Sequence, residues 1–218
     1  MKIGIVTVTH QSDVLRPNGL ELVTRLVNSL SCLNYEYECV VVDNASVVPI
    51  QIPAVNIIRV EDQTIYGLTG AWELGLQKLI DLDCDICIIS NDDLYYNDTI
   101  NEFINQIDIH SDKLISVYGP LSNGILAGVQ LAQKPNNIIT ELTGNQHNMV
   151  NGFMFAFTKE FYLNFKKANG ELFDKENYPW GGNEEEFQNR IWTEGGKSFV
   201  IGYSWIAHEK IRGWKQFK

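Results

Sequence analysis

The chain has 218 residues, of which 44% are hydrophobic and 11% aromatic. This length and composition predict a single folded domain, because the chain has enough apolar side chains to build a packed core. Asp and Glu together number 27 against 17 for Lys and Arg, which gives a net charge of −10. Nucleic-acid binding requires a surplus of basic residues, so this charge excludes a nucleic-acid partner.

The N-terminal residues, MKIGIVTVTHQSD, combine one lysine with a short β-branched run. A secretion signal has a longer apolar segment and a cleavage site of small residues, so we predict a first strand here and a cytoplasmic protein. No run of about 18 apolar residues occurs, which excludes a membrane-spanning helix. Because a zinc site needs a second pair at the right spacing, we predict that the four cysteines are free thiols: Cys32, Cys39, Cys84 and Cys87.

Strands and helices alternate in the first half of the sequence. Runs of β-branched residues predict strands at Lys2–Thr9, Glu38–Val42, Val55–Val60 and Asp85–Ser90. Apolar residues at helical spacing predict helices at Gly19–Leu33, Gly67–Leu82 and Asn97–Ile107. This alternation is typical of an α/β fold with a mostly parallel central sheet that is flanked by helices.

The second half has a less regular pattern. It predicts strands at Leu114–Val117, Asn151–Thr158 and Ser198–Ser204, and helices at Lys159–Lys167 and Glu184–Glu194. Residues 119–150 show no period, and no element is predicted there. Because no change in composition marks a linker, we predict one domain over residues 1–218.

Three polar residues, Asn91, Asp92 and Asp93, directly follow an apolar strand. Parallel sheets bind their ligands at the carboxyl ends of the strands. Adjacent carboxylates at such a place can hold a divalent cation through oxygen ligands, but Asn and Asp also favour simple turns. On these residues alone, both interpretations stay open.

The segment WGGNEEEFQNR, residues 180–190, places three glutamates at the start of a predicted helix. This arrangement is favourable by itself, because acidic side chains stabilise the positive end of a helix. Glu186 and Arg190 are spaced for an ion pair on one helix face. The two glycines before the helix allow the backbone to bring a carboxylate close to a ligand. His208, near the end of the chain, is a core or surface residue unless the fold brings it to Asp93.

Several common motifs are missing from the sequence. No G-x-G-x-x-G follows the first strand, which argues against a dinucleotide-dependent dehydrogenase. The sequence also lacks the G-x-x-x-x-G-K-[ST] motif of P-loop enzymes and the G-x-S-x-G motif of α/β-hydrolases.

Four blocks, in this order along the chain, resemble the inverting glycosyltransferases of the GT-A fold, family 2 type. The first is residues 7–9 with the turn VVDNAS at 41–46, and the second is YGLTGAWELG at 66–75. The third, NDD at 91–93, occupies the place of the D-x-D metal motif. The fourth comprises residues 151–153, residues 172–174, the helix from Glu184, and His208. WGGNEEEFQNR is also similar to the W-G-G-E-D-D-D-x-x-N-R segment of β-1,4-galactosyltransferases.

The sequence departs from the family pattern at several positions. Ile65 and Glu73 stand where the glycine-spaced helix usually has Asn, and Asn91 replaces the first Asp of D-x-D. Asn183 and Glu184 replace a Glu-Asp pair, so that the catalytic Asp of the family falls on Glu184.

The resemblance implies a metal-dependent enzyme that transfers a sugar from a nucleoside diphosphate sugar, here a UDP-sugar, to a hydroxyl acceptor with inversion. Asp93 and His208 would hold Mn²⁺ or Mg²⁺. Glu184 would be the general base, or Glu185 would be, since Glu is one methylene longer than the Asp of the family. We expect the N-terminus of the helix to keep Glu184 ionised.

The resemblance also implies two sets of binding residues. Residues 1–115 would form the half that binds the nucleotide sugar, and residues 116–218 the half that binds the acceptor, a glycan or another hydroxyl compound. The nucleotide-sugar residues would be Thr7, Thr9, Asp43, Asn44, Gly67, Gly70, Asn91 and Asp92. The acceptor residues would be Trp180, Gly181, Gly182 and Asn151.

Two other functions use the same residues. A non-catalytic module would bind a nucleotide sugar or a glycan, and the Asn91 and Asn183 replacements would have removed its catalytic acidity. A metal-dependent hydrolase would use the same carboxylates and consume UDP-sugar at full rate without an acceptor. Slow hydrolysis of a UDP-sugar in the presence of Mn²⁺ distinguishes a transferase from a binding module.

Overall fold

The computed structural model describes residues 1–12, 16–123, 128–143 and 148–209. All the predicted site residues lie in these ranges. Parts of the stretch 119–150, for which the sequence predicted no element, and residues 210–218 of the predicted domain lie outside them. Within the described residues, no helix combines the length and the apolar character that crossing a bilayer requires. The cytoplasmic location stays a prediction.

The described chain contains nine strands and five helices. The strands are β1 (Lys2–Thr9), β2 (Glu36–Asn44), β3 (Asn56–Val60), β4 (Ile86–Asn91), β5 (Leu94–Tyr95), β6 (Ser116–Ser122), β7 (Ile139–Leu142), β8 (Met154–Thr158) and β9 (Lys197–His208). The helices are α1 (Gly19–Ser29), α2 (Gln63–Asp81), α3 (Thr99–Ile109), α4 (Lys159–Phe165) and α5 (Asn183–Thr193). A 3₁₀ turn, Leu30–Cys32, follows α1. Only β5 and β7, which are short, had no counterpart among the predicted elements.

The strands form one sheet in the order β3-β2-β1-β4-β8-β6-β9-β5, with β7 also paired to β9. The first four strands in this order are parallel, as predicted. β8 is antiparallel to both β4 and β6, and β9 is parallel to β6, so the rest of the sheet is mixed. The predicted α/β fold is confirmed. Strands β1 to β4, which come from the N-terminal half of the sequence, form its continuous parallel part.

Helices cover both faces of the sheet. On one face, Trp72 of α2, Phe161 of α4 and Phe187 of α5 belong to a single buried apolar cluster. On the other face, residues of α1 and α3, among them Leu26 and Phe103, form a second cluster. Alternate residues of the central strands point into the two clusters, as the period of a strand requires. The four cysteines are free thiols, as predicted, and three of them are buried.

Helix α2 packs unusually closely on the sheet at Gly75. A Cβ at this position would overlap the Cγ2 methyl of Val6 and would lie 3.2 Å from that of Val42. Replacing Gly75 by Ala is therefore expected to cost about 1–3 kcal/mol of unfolding free energy, the usual range for overpacking. Urea denaturation measures this cost. As a control, Gly181→Ala should change stability by less than about 0.5 kcal/mol, since a Cβ there meets nothing within 4 Å. Equal stability of the two variants would contradict the close packing.

Parallel pairing brings the polar strand ends to one edge of the sheet. Thr9 at the end of β1 pairs with Asp43 of β2, and Val8 pairs with Asn91 of β4. The residues that follow β4, Asp92 and Asp93, therefore begin at the same edge. This edge carries the side chains described next.

Candidate active site

Asp92, which directly follows the end of β4, accepts hydrogen bonds from two side chains of β1 and the loop after it. Thr9 donates a hydrogen bond from Oγ1 to Asp92 Oδ2 at 2.7 Å, and the guanidinium of Arg16 donates to Asp92 Oδ1. Arg16 and Asp92 are only 3% and 2% exposed. Burial raises the pKa of Asp92 to about 6, although Arg16 acts against this shift, and the charge of Asp93 adds to it. The buried ion pair ties the segment after β1 to the acidic residues after β4.

Asp93 and His208 lie side by side, although they are far apart in the sequence. β5 and β9 are antiparallel, and Leu94 pairs with His208. His208 Nε2 is 3.2 Å from Asp93 Oδ1. His208 Nδ1 is buried and has no hydrogen-bond partner among the described residues. The structure thus brings together the two residues that were predicted as metal ligands.

A series of contacts leads from His208 to α5. The ring of Phe153 stacks on the His208 imidazole, with 5.3 Å between centroids and 18° between planes. The preceding residue, Gly152, faces Glu184, because a Cβ on Gly152 would lie 3.1 Å from Glu184 Cδ. The predicted base and the predicted metal ligands therefore lie at the two ends of one short segment, residues 152–153.

Glu184 is partly buried at the start of α5. Burial raises its pKa, a backbone hydrogen bond acts against the rise, and the charge of Glu185 adds to it. The expectation that the helix N-terminus keeps Glu184 ionised stays a prediction, and the loss of hydration on burial acts against it. A carboxylate with a raised pKa accepts a proton more readily once it is ionised.

Glu186 has a structural partner. Its Oε1 lies 3.3 Å from Nε of Arg190, which confirms the predicted ion pair within the helix. Arg190 also donates to the carbonyl oxygen of Phe165 at 3.0 Å and to that of Leu172. The pair therefore joins α5 to the end of α4 and to the loop that follows α4.

Asp43 is wholly buried and both of its oxygens are occupied. Oδ1 accepts from the backbone N–H of Ser46 at 3.0 Å, and Oδ2 accepts from that of Ile50 at 3.0 Å. Arg59 Nη1 also donates to Oδ2 at 2.6 Å. In this structure Asp43 holds the turn after β2. Its predicted contact with the nucleobase stays a prediction.

Asn44 and Gly67 join the end of β2 to the kink in α2. Asn44 Nδ2 donates to the carbonyl oxygen of Gly67 at 3.2 Å, and Asn44 Oδ1 is buried without a partner among the described residues. Gly67 has φ 60°, and a Cβ there would overlap the carbonyl oxygen of Pro179. That oxygen accepts from the N–H groups of Leu68 and Thr69 at 2.7 and 3.1 Å. The glycine thus lets the loop before α5 cap the second part of α2.

The remaining predicted residues occupy varied positions. Thr7 is wholly buried inside the sheet, and Gly70 faces Tyr66 and Lys175 rather than the strand ends. Asn151 is exposed, and its Oδ1 accepts from the N–H of Phe153 at 3.2 Å.

The glycine-rich turn before α5 carries the other three predicted acceptor residues. Trp180 and Gly182 are partly exposed, and Gly181 is exposed. Gly182 precedes α5 with φ 77°, in the left-handed region. The acceptor roles of these residues and of Asn151 stay predictions.

Two buried charged residues escaped prediction. Arg16 lies in a polar loop without any period, and nothing in its surroundings indicates the ion pair with Asp92. The burial of Glu73 could have been predicted from the sequence, because Glu73 stands at a core-facing position of a predicted helix, between apolar residues. Glu73 Oε2 accepts from the N–H groups of Leu172 and Phe173 at 3.0 and 3.2 Å. Burial raises its pKa to about 7.

No protein-family model matches the sequence, and no curated protein is significantly similar to it. Solved structures do match its fold. A crystal structure of GalNAc-T7 with UDP, GalNAc and Mn²⁺ superimposes with a TM-score of 0.66 at 18% identity, over 98% of this chain and 45% of GalNAc-T7. S. aureus TarS 1–349 gives 0.63 at 15% identity, over 95% of this chain and 60% of TarS.

A third structure, TarS 1–349 in complex with UDP-GlcNAc, gives a TM-score of 0.61 at 14% identity. The chain spans about half to three fifths of the length of these proteins. Identities this low show the fold alone. Both neighbours are GT-A glycosyltransferases, and they share the central multi-stranded sheet with flanking helices. The chain therefore has the GT-A glycosyltransferase fold.

Proposed function

We propose that this chain is a glycosyltransferase domain that transfers a sugar from a UDP-sugar to a hydroxyl acceptor, with inversion and with the help of a divalent metal ion. The observation that carries the proposal is the approach of His208 to Asp93 at the edge of the sheet, 3.2 Å between Nε2 and Oδ1. A turn-forming role for Asn91-Asp92-Asp93 does not require a buried imidazole beside the last carboxylate. The neighbours of the same fold bind UDP and UDP-GlcNAc, which supports a UDP-sugar as donor.

The side chains fit a metal ion such as Mn²⁺ or Mg²⁺. Asp93 Oδ1 and His208 Nε2, which lie 3.2 Å apart, would hold the ion together, because an oxygen and an imidazole nitrogen are both suitable ligands. Among the described residues no third His, Cys, Asp or Glu joins them. Diphosphate oxygens and water would complete the set of ligands. When bound, the ion neutralises the charge that develops on the departing diphosphate.

Glu184 is the proposed general base. It faces Gly152, on the far side of that segment from Asp93 and His208. The acceptor hydroxyl would therefore attack the anomeric carbon of the donor from the side opposite the departing diphosphate. Glu184 takes the proton of the acceptor hydroxyl, whose oxygen forms the new bond as the bond to the diphosphate oxygen breaks. The electron pair of the broken bond leaves with the diphosphate, and attack from the opposite side inverts the anomeric centre.

Arg16 has a supporting role on the donor side. A chain with net charge −10 repels a diphosphate, and the two adjacent aspartates would add to this repulsion. The guanidinium of Arg16 compensates one of these two charges. We place the donor over the ends of β1, β2 and β4, between Thr9 and the kink at Gly67, and the acceptor against Trp180 and Asn151.

Thermal denaturation with UDP, UDP-GlcNAc, UDP-GalNAc and UDP-glucose, with and without Mn²⁺, tests the proposal. A ligand at tenfold its dissociation constant stabilises the native state by about 1.4 kcal/mol, which raises Tm by roughly 3–6 °C for a chain of this size. We expect this rise for at least one ligand in the presence of Mn²⁺. In Asp93→Asn the Mn²⁺-dependent part should disappear.

Asp81→Asn is the matched control, since Asp81 is exposed at the far end of α2. It should retain the full rise in Tm. Equal rises in Asp93→Asn and in the wild type would remove Asp93 from the metal site. Binding of a UDP-sugar without any release of UDP, with or without Mn²⁺, would favour the non-catalytic binding module.

A further inference from the structure

Gln188 is a buried amide one helical turn after Glu184. Only 1% of it is exposed. Its Oε1 accepts from the backbone N–H of Val150 at 2.8 Å, and its Nε2 donates to the carbonyl oxygen of the same residue at 2.7 Å. Nε2 also lies 3.1 Å from the carbonyl oxygen of Glu184. A single side chain therefore joins the backbone of the base to the backbone two residues before Gly152.

The amide of Gln188 makes contacts that neither an ionised glutamate nor a methionine could make. Val150 presents one donor and one acceptor, so its partner must accept at one atom and donate at another. A glutamate could not donate to the Val150 carbonyl, and a methionine of similar length could do neither. Ser198 of β9 donates to Gln188 Oε1 at 3.2 Å, which fixes the orientation of the amide.

A second buried glutamine holds the next residue of the same segment. Gln130 Oε1 accepts from the N–H of Asn151 at 2.7 Å, and its Nε2 donates to the carbonyl oxygen of Pro120 at 2.8 Å. Two glutamines therefore anchor the segment before Gly152. Gln188 joins it to α5, and Gln130 joins it to Pro120 of β6. Of the two, only Gln188 also contacts the residue proposed as the base.

We propose that Gln188 is a positioning residue that sets the separation between the Glu184 carboxylate and the backbone at Gly152. The inference rests on the proposed function, in which Glu184 is the general base. The acceptor hydroxyl has to approach the Glu184 carboxylate near Gly152, so the distance that Gln188 sets determines whether proton transfer is possible. A misplacement of about 1 Å in such an arrangement can reduce a rate by about 100-fold.

The same separation controls the solvation of Glu184. The segment packed against it, residues 150–153, carries no titratable side chain, and the charge that acts on Glu184 is that of Glu185 on its own helix. If the segment moved away, water would reach the carboxylate. The pKa of Glu184 would then fall toward the ordinary value of a glutamate.

The test compares Gln188→Met with Asn101→Leu in the full chain. Asn101 is a matched amide on α3, on the other face of the sheet. Its Oδ1 accepts from the N–H of Asn34 at 2.8 Å, and its Nδ2 donates to the carbonyl oxygen of Cys32 at 2.8 Å. Both variants thus lose a donor and an acceptor bond to the backbone, and only one of them lies near the base.

The first measurement is an NMR titration of the ¹³C-labelled Glu carboxyl carbons, in which the Glu184 signal is identified by its absence from Glu184→Gln. We expect the pKa of Glu184 to fall in Gln188→Met and to stay unchanged in Asn101→Leu. An unchanged pKa in Gln188→Met, or an equal fall in both variants, overturns the proposal. This titration needs no substrate, so it decides the inference even if the chain transfers no sugar.

The second measurement is the release of UDP from the UDP-sugar that binds best, with Mn²⁺ present. Gln188→Met should lower kcat by about 10- to 100-fold and leave KM within about twofold, because the donor is held elsewhere. An unchanged kcat, or the same loss in Asn101→Leu, counts against Gln188. If Glu184→Gln itself retains full activity, the proposed function fails, and the titration still shows whether Gln188 sets the environment of Glu184.

Discussion

Replacing Glu184 by Gln is expected to lower the rate of sugar transfer by about 10²–10⁴-fold, the range for loss of a positioned general base. Glutamine keeps the size and the hydrogen-bonding shape of the side chain but accepts no proton at neutral pH. Binding of the nucleotide sugar should barely change, because the proposed function assigns the donor to Asp93, His208 and the metal ion rather than to Glu184. The measurement is the rate of UDP release at saturating donor, together with the rise in Tm that the donor causes.

Glu185→Gln is the matched control for this experiment. The adjacent helical position points about 100° away around the axis, so this change should reduce the rate only slightly. If Glu185→Gln is the inactive variant, the base is Glu185, and the longer side chain has moved the role by one residue. If neither variant loses more than a few-fold, the acidic cluster only stabilises the start of α5.

The pH dependence of transfer gives a further check on the base. Burial raises the pKa of Glu184 above its ordinary value. Since the base works in its ionised form, activity should fall, as the pH is lowered, at a higher pH than an ordinary glutamate would give. Glu184→Gln should remove this fall from whatever activity remains.

Replacing Glu73 by Gln is expected to stabilise the protein above pH 7 by up to about 3 kcal/mol. The folded protein raises the pKa of this buried carboxyl from 4.5 to about 7. Between these two values the folded state holds the proton and the unfolded state does not, so the stability of the wild type falls as the pH rises. Glutamine is neutral throughout and still offers an oxygen to the N–H groups of Leu172 and Phe173.

Urea denaturation at pH 4.5, 6 and 8 measures this effect. The wild type should lose stability across the series relative to Glu73→Gln, and the two should be similar at the lowest pH. Glu61→Gln is the control, since the Glu61 side chain is 80% exposed, and it should follow the wild type. Parallel pH profiles for the wild type and Glu73→Gln would show that Glu73 titrates as an ordinary glutamate.

Periodicity predicted the elements that have a strong local pattern. Lys2–Thr9 is a strand with the predicted bounds, and α5 begins and ends within one residue of its prediction. β5 has only two residues and forms because β9 pairs with it. No local sequence pattern therefore predicts this strand. The helix predicted from Gly67 lacked the first helical turn of α2, residues 63–66. That turn is separated from the rest of α2 by the kink at Gly67, and the kink depends on a contact with Pro179, which is far away in the sequence.

The sequence allowed the candidate site residues to be predicted, but not the contacts that surround them in the fold. The metal role of Asp93 and His208 came from the resemblance to GT-A glycosyltransferases, and the approach of the two residues depends on the pairing of β5 with β9. The rise in the pKa of Glu184 could not be predicted, since it arises from burial that depends on how distant segments pack around α5. Arg16 was missed because an isolated arginine in a loop does not indicate that its partner is a buried aspartate after another strand.

The position of β5 in the sheet has a consequence for the order in which the chain folds during synthesis. β5 belongs to the first half of the sequence but pairs with β9 at the opposite end of the sheet from β3. When residues 1–115 have left the ribosome, β4 has an open edge, and β5 has no strand to pair with. Such an edge attracts other chains until β8 covers it. Asp93 meets His208 only when β9 has been made, so a nascent chain would expose residues 1–115 long before it could form the proposed metal site.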